Sequence, residues 1–362
     1  MRHKDGLRIV PLTALGEGQW ADFVARCDEC WLYHHPDFTD LNDRNCRAFG
    51  IVEGASIVGG GILYVNRSGL GKVLGHRYGA AGLAALPGIA ARAYPMIKEH
   101  LIKVAREEGC HAIQMALPLL APAHANAEYL DSHLCRLGFG DSLRWGTLIS
   151  YSPSYSTVID LDRSKDTIWR EFSELIRRKC KLAARQAFEA DFLQKGIEAA
   201  DWDAFEGNHE ATMLRGGAQA LPANLRQRLH NLVLQGHAAV LNIKREGNTI
   251  ASLLMLTYKR AAFYFASGLS EEAYRDGFAA QLHWSAIQEL ARRGYVAYEI
   301  GQFYPALAGT KLRTLGEFKR MFGGTKRRVM AGELVVNDTR MFLLDIAPAY
   351  LRQCYRNISA SL

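Results

Sequence analysis

The sequence predicts an α/β (α+β) chain of two tandem copies of one unit, each a mixed, mostly antiparallel sheet flanked by helices. Three observations carry this. The segment from Ile51 to Gly59, which reads as strand, tight Gly turn and strand, recurs in kind from Lys244 to Ser252. A second echo, Ala105 to Met115 against Ala291 to Ile300, follows in the same order at nearly the same separation. The length of 362 residues suits two ordinary domains, and 49% hydrophobic with 22% charged residues leaves ample core for both.

Each element has its own signal. In the first unit an N-terminal helix precedes the hairpin around Glu53–Gly54. Tyr94, Ile97, Leu101 and Val104 then recur at helical spacing. That helix stops at Gly109, where a residue free to adopt positive φ ends it, and a strand begins at once. A later helix is expected near Ala127 to Leu137. In the second unit the helix from Phe278 to Arg293 is apolar over a broad arc (Ala279, Leu282, Ala286, Leu290), which predicts burial. Gly294 stops it as Gly109 stops its counterpart. Between the copies, Thr167 to Glu189 reads as one long helix dense in Arg177, Arg178, Lys179, Lys181 and Arg185. The expected domains are therefore 1–155, 156–345 with the basic linker helix 167–189, and a C-terminal tail or helix, 346–362.

Composition narrows the partners. A formal net charge of +7 fits an anionic partner, whether phosphate, nucleotide, RNA or acidic glycan. Seven cysteines stand at irregular spacing, and Cys27 and Cys30 form a lone CxxC without a second pair or histidines at ligand spacing. No metal site is expected. Met1 to Val10 lacks an apolar leader and no apolar run reaches the length of a membrane span. A reduced cytoplasmic compartment is the expectation.

The densest chemistry lies near the C-terminus. Leu312, Leu315, Phe318 and Phe322 fall on one side of a short helix closed by Gly323 and Gly324, and Lys319 lies in the same sector. A lysine on an apolar stripe either snorkels to water or faces a cavity that needs its charge; periodicity leaves both open. Glu299, on the preceding strand, is the nearest carboxylate able to take a proton from an amine.

The layout of N-terminal helix, hairpin, strand, helix and strand resembles the GNAT acyltransferase fold. Its duplication resembles the FemAB-like double-GNAT group, which includes peptidoglycan aminoacyltransferases and BioF2-like acetyltransferase domains. The motifs are Tyr264–Phe265–Ala266–Ser267–Gly268, Ala291–Arg292–Arg293–Gly294 and, above all, Glu317–Phe318–Lys319–Arg320–Met321–Phe322–Gly323–Gly324. The resemblance spans about Leu7 to Val335 and implies two tandem GNAT-like domains.

It also implies transfer of an acyl or aminoacyl group to an amine on a cell-envelope or polysaccharide precursor. Carried over residue by residue, Lys319 stabilises the oxyanion and Phe318 lies near the donor's end. Tyr264 is expected to line the donor channel, Arg275 and Arg320 to meet phosphates, and Arg77 and Tyr78 to touch the acceptor. Gly277 is in register with the glycine of a pyrophosphate-cradling loop, but Tyr274 and Asp276 depart from that pattern. No tightly bound cofactor is implied; acyl-CoA and aminoacyl-tRNA are the two donors, and oligomeric state is left open. Two rival functions share the fold: an acyl-CoA-dependent N-acyltransferase of a small metabolite or exopolysaccharide, and a non-catalytic protein binding RNA or another anionic ligand.

Overall fold

The computed structural model describes residues 6–68, 70–76, 82–141, 143–144, 151–152, 155–303, 311–348, 350–351 and 354. The chain divides into two compact units, Met1–Ser154 with Arg328–Leu362, and Tyr155–Arg327.

The first unit runs β1 (Leu7–Pro11), α1 (Glu17–Arg26), the hairpin β2 (Cys46–Glu53) and β3 (Ser56–Ser68), β4 (Gly71–Gly75) and β5 (Leu83–Ala85). The crossover helix α2 (Ala90–Glu107), β6 (Ala112–Ala116), α3 (His133–Leu137), β7 (Gly140–Asp141) and a ribbon of β8 (Leu143–Arg144) and β9 (Tyr151–Ser152) follow. Helix α2 buries Ala93, Met96, Ile97, Leu101 and Ala105 on one stripe and ends before Gly109, at φ 70°.

The second unit opens with β10 (Tyr155–Asp160), α4 (Lys165–Glu171), α5 (Glu174–Ala183), β11 (Glu189–Leu193), α6 (Ala199–Arg215) and α7 (Ala223–Gln235). The hairpin β12 (Ala238–Arg245) and β13 (Asn248–Tyr258), then β14 (Ala261–Leu269), α8 (Glu271–Arg275), α9 (Phe278–Arg292), β15 (Ala297–Phe303), α10 (Lys311–Arg320) and β16 (Thr325–Arg328) complete it. The expected linker helix is two helices, because Phe172 is extended and Ser173 caps α5 by accepting from the Ile176 amide.

Beyond β16 the chain returns to the first sheet. Strand β17 (Ala331–Val335) pairs antiparallel with β6, Glu333 facing Gln114, and α11 (Asp338–Met341) follows. This corrects the expected boundary at 345: the alternating apolar residues of β17 serve the first unit's core, where Met330 is buried and Leu334 packs.

The sheets share one plan. The first is ordered β1-β2-β3-β4-β6-β17-β7 with β5 on β3, and the second β11-β12-β13-β14-β15-β10-β16. Position by position they correspond, except that the strand beside β6, β17, comes from the end of the chain and the strand beside β15, β10, opens its own unit. In each, a crossover helix joins a parallel pair, β4 with β6 and β14 with β15. Gln114 and Glu299 occupy the same third pairing position, opposite Gly75 and Phe263. The second unit's core gathers Ile159, Phe172, Leu253, Met255, Phe278, Tyr298 and Phe322 between helices and sheet.

Candidate functional site

Strands β14 and β15 pair in parallel only through Ala261–Ala297, Ala262–Tyr298 and Phe263–Glu299. Past that point β14 bonds to β13 and β15 to β10, so the two strands part. Both carry a bulge where they part. Leu254 and Met255 face Ala266 and Tyr264, which leaves Phe265 as an extra residue on β14. Thr157 and Val158 face Gly301 and Glu299, which leaves Ile300 extra on β15. Bulges break a ladder locally and re-aim side chains, so backbone groups and Tyr264, Glu299 and Gly301 gather at the mouth of the split.

Helix α10 lies against β15 because glycine permits it. A Cβ at Gly316 would stand 2.8 Å from the Phe303 Cβ, and one at Gly301 (φ 109°) would stand 2.9 Å from Lys319 Nζ. The half-buried Lys319 therefore crosses over Gly301 and donates from Nζ to the Gln302 carbonyl at 3.1 Å. Leu315, expected on the apolar stripe, is 44% exposed. The contact face is turned toward Gly316 and Lys319, since only a glycine fits the closest approach.

Glu299 is 6% exposed. Burial raises its pKa to about 7, against the opposing effects of a Ser156 hydrogen bond and of the Lys319 and Arg327 charges. Ser156 Oγ donates to Glu299 Oε1 at 2.6 Å. Burial also lowers Lys319 to about 8, with Glu299 pulling the other way. Two oppositely charged groups in a poorly solvated mouth are thus both poised near neutral pH.

Behind them stands an aromatic wall. His283 packs edge-on to Tyr264 with centroids 4.8 Å apart, and lies 6.0 Å from Phe318 and 4.9 Å from Phe322. Burial, then the Lys319 charge, holds His283 down to about 3, so it is neutral. The Tyr298 hydroxyl, whose ionisation burial opposes, shares a hydrogen bond of 2.8 Å with His283 Nδ1. Tyr264 shares a 2.8 Å hydroxyl contact with Ser267, and Lys319 Nζ stands 6.0 Å from its ring centroid. The arrangement offers a cation, a carboxylate of tunable charge and a largely apolar, hydrogen-bonded wall at one mouth.

Residues 170–319 match the family model described as an acetyltransferase (GNAT) domain. The second unit carries a GNAT domain. Among solved structures, FemX is similar at 12% identity over 93% of this chain and 99% of that one, with a TM-score of 0.68. The C-terminal domain of a putative lysylphosphatidylglycerol synthetase from Agrobacterium fabrum is similar at 14% identity, covering 94% and 95%, with a TM-score of 0.56. A tandem GNAT protein from the clavulanic acid biosynthesis pathway is similar at 13% identity, covering 91% and 99%, with a TM-score of 0.50. At such identities the likeness is one of fold, and it extends to both units as tandem GNAT-like domains. No curated protein matches the sequence.

Within the GNAT domain, Lys319, Glu299, Tyr264 and Phe318 come together at the split. Arg320 does not join them: it is exposed, its guanidinium 5.7 Å from the Phe303 ring centroid. Arg275 is exposed and paired with Glu271 at 3.1 Å. Gly277 (φ 87°) precedes α9, where a Cβ would stand 2.9 Å from the Lys179 carbonyl oxygen. The negative charge noted at Asp276 is offset, because Asp276 and Glu272 both approach Arg245, at 3.7 and 2.5 Å. Arg77 and Tyr78 lie outside the described residues.

Ser156, His283 and Tyr298 were not singled out from the sequence. His283 had a signal, a histidine beside Leu282 and Ala286 on the buried arc of α9. Ser156 had none, because its strand joins β15 from 143 residues away in sequence. In the first unit the position of Glu299 is held by Gln114, whose Nε2 donates to Glu333 Oε2 at 2.6 Å. An amide cannot take up a proton at neutral pH, so Gln114 is no proton acceptor at the position that Glu299 holds in the second unit.

Proposed function

We propose that the chain is an N-acyltransferase that moves an acyl or aminoacyl group to an amine on a cell-envelope or polysaccharide precursor, with the transfer performed in the split between β14 and β15. The observation that carries the proposal is the Lys319–Glu299 pair at that mouth. Attack of an amine on an acyl carbon creates an oxyanion and releases a proton. Lys319, protonated below about pH 8, is the cation for the first. Glu299, ionised above about pH 7, is the base for the second. Backbone groups freed by the Phe265 bulge add hydrogen-bonding capacity where β14 leaves β15. Tyr264 and Phe318 wall the acyl end of the donor. The putative lysylphosphatidylglycerol synthetase domain, named for a lipid product, shares the fold, which supports an envelope acceptor.

Acyl-CoA and aminoacyl-tRNA both present an acyl carbon of the required kind. The carboxylates of Glu271, Glu272 and Asp276 around the start of α9 are paired with Arg275 and Arg245, so charge there favours neither donor. The test offers the purified protein labelled acetyl-CoA, longer acyl-CoAs and aminoacyl-tRNAs with envelope extract as acceptor. Transfer from one donor is expected, cut by about 10²–10³-fold in Lys319→Met. Transfer from none, or full turnover in Lys319→Met, sinks the proposal.

A further inference from the structure

A second site is built at the other end of the same sheet, where β14 and β15 begin. A cavity of about 560 Å³ is lined by Gln194, Gly236, His237, Thr257–Arg260 and Arg293–Tyr295. Three lining residues, Lys259, Arg260 and Arg293, are basic, and no lining residue is acidic. Two of the three are pinned by hydrogen bonds. Arg260 Nε donates to the Gly294 carbonyl at 2.9 Å, which leaves the outer guanidinium nitrogens available. Arg293 Nε donates to Glu289 Oε1 at 2.7 Å, and its guanidinium lies 4.3 Å from the Phe192 ring centroid. The wall between is held by Gln194, whose Nε2 contacts the Gly236 carbonyl, Thr257 Oγ1 and the Tyr295 hydroxyl at 2.9–3.1 Å.

The backbone around this cavity is also unusual. Among the described residues four that are not glycine have positive φ: Lys195, Glu246, Lys259 and Arg260. Two of the four, Lys259 and Arg260, line this cavity, Lys195 follows the lining Gln194, and all three are basic. Lys259 (φ 46°) and Arg260 (φ 59°) form the two-residue turn between β13 and β14, a place where Asn-Gly is the unstrained choice. Lys195 (φ 61°) lays its side chain over Gly236, where a Cβ would meet its Cε at 2.4 Å. A two-residue hairpin turn needs positive φ at both positions but no charge; here Lys and Arg hold it at a backbone cost, and both side chains line the same hollow.

We propose that this cavity is an anion site that takes the phosphate groups of a small phosphorylated ligand. Fixed guanidinium donors suit phosphate oxygens, and no carboxylate lines the cavity. The site is separate from the split and does not rest on the transfer chemistry.

Calorimetric titration of the full chain with inorganic pyrophosphate at low ionic strength is expected to show one saturable site. The deciding variant is the double substitution K259N/R260G, which installs the unstrained turn. It is expected to raise the melting temperature and to weaken pyrophosphate binding at least about ten-fold. A melting temperature that rises while pyrophosphate binds as before overturns the proposal, as does the lack of saturable binding by the parent protein. ADP is the second probe: tighter binding than pyrophosphate assigns a nucleotide to the cavity, and equal affinity assigns the phosphate group alone.

Discussion

Under the proposed transfer, the proton inventory of the split sets the rate at the scale of single residues: the proposal requires Glu299 ionised and Lys319 protonated. Activity therefore rises as pH passes about 7 and falls as it passes about 8. A bell-shaped profile of kcat/KM is expected, with limbs belonging to the coupled pair rather than to either residue. Glu299→Gln removes the rising limb and lowers turnover by about 10²–10⁴-fold; a profile flat from pH 6 to 9 in the parent would remove both residues from the chemistry. Ser156 tests the same pair without touching it. Its hydroxyl stabilises the ionised Glu299 carboxylate at 2.6 Å, so Ser156→Ala raises the Glu299 pKa further. The rising limb is expected to move up by about one pH unit, with about a five-fold loss at pH 7 that recovers toward pH 8. A purely structural role for Ser156 would lower the whole curve and leave its limbs in place.

Secondary-structure elements decide whether those residues meet. Gly301 and Gly316 let α10 lie on β15, and Gly301 is the position where its lysine crosses. Gly301→Ala places a Cβ against Lys319 Nζ and forces a non-glycine residue to φ 109°. A backbone cost of about 1–3 kcal/mol follows. Activity should fall at least about ten-fold because the ammonium is displaced, and a falling limb that shifts with it, followed by pH titration, separates displacement from simple loss of fold. Much of this element level was legible in the sequence. The echo that aligns Gln114 with Glu299 is the register in which both stand against their parallel partners, because a helix stop followed at once by a strand fixes the count of residues. Lys319 was visible as a charge on an apolar stripe. The rotation of α10 that exposes Leu315 was not, since it depends on a backbone contact at Gly316 that periodicity does not encode. Ser156 was invisible for the opposite reason: its neighbours in space are remote in sequence, and no local pattern marks a serine as the partner of a distant carboxylate.

At the scale of the whole molecule, the two sheets differ in where their sixth strand comes from, and that difference predicts unequal independence. All seven strands of the second sheet lie between Tyr155 and Arg328, and so does every residue of its core cluster. The first sheet depends on β17, which joins β6 on one side and β7 on the other. Without it the Gln114–Glu333 hydrogen bond is lost and β6 presents an unpaired, apolar edge. A fragment of residues 155–328 is therefore expected to melt cooperatively on its own, with slow amide exchange through β12 to β15. A fragment of residues 1–154 is expected to lack a cooperative transition and to aggregate, and a peptide of residues 328–362 supplied in trans should restore exchange protection in β6. Independent, cooperative folding of residues 1–154 with protected β6 amides would show that β17 completes the first sheet without being needed to hold it. The acyl-transfer proposal makes a matched demand of the other fragment: with Lys319, Glu299, Ser156, Tyr264 and Phe318 all inside it, residues 155–328 should retain donor binding, and a folded fragment that fails to bind the donor would count against the split as the donor site.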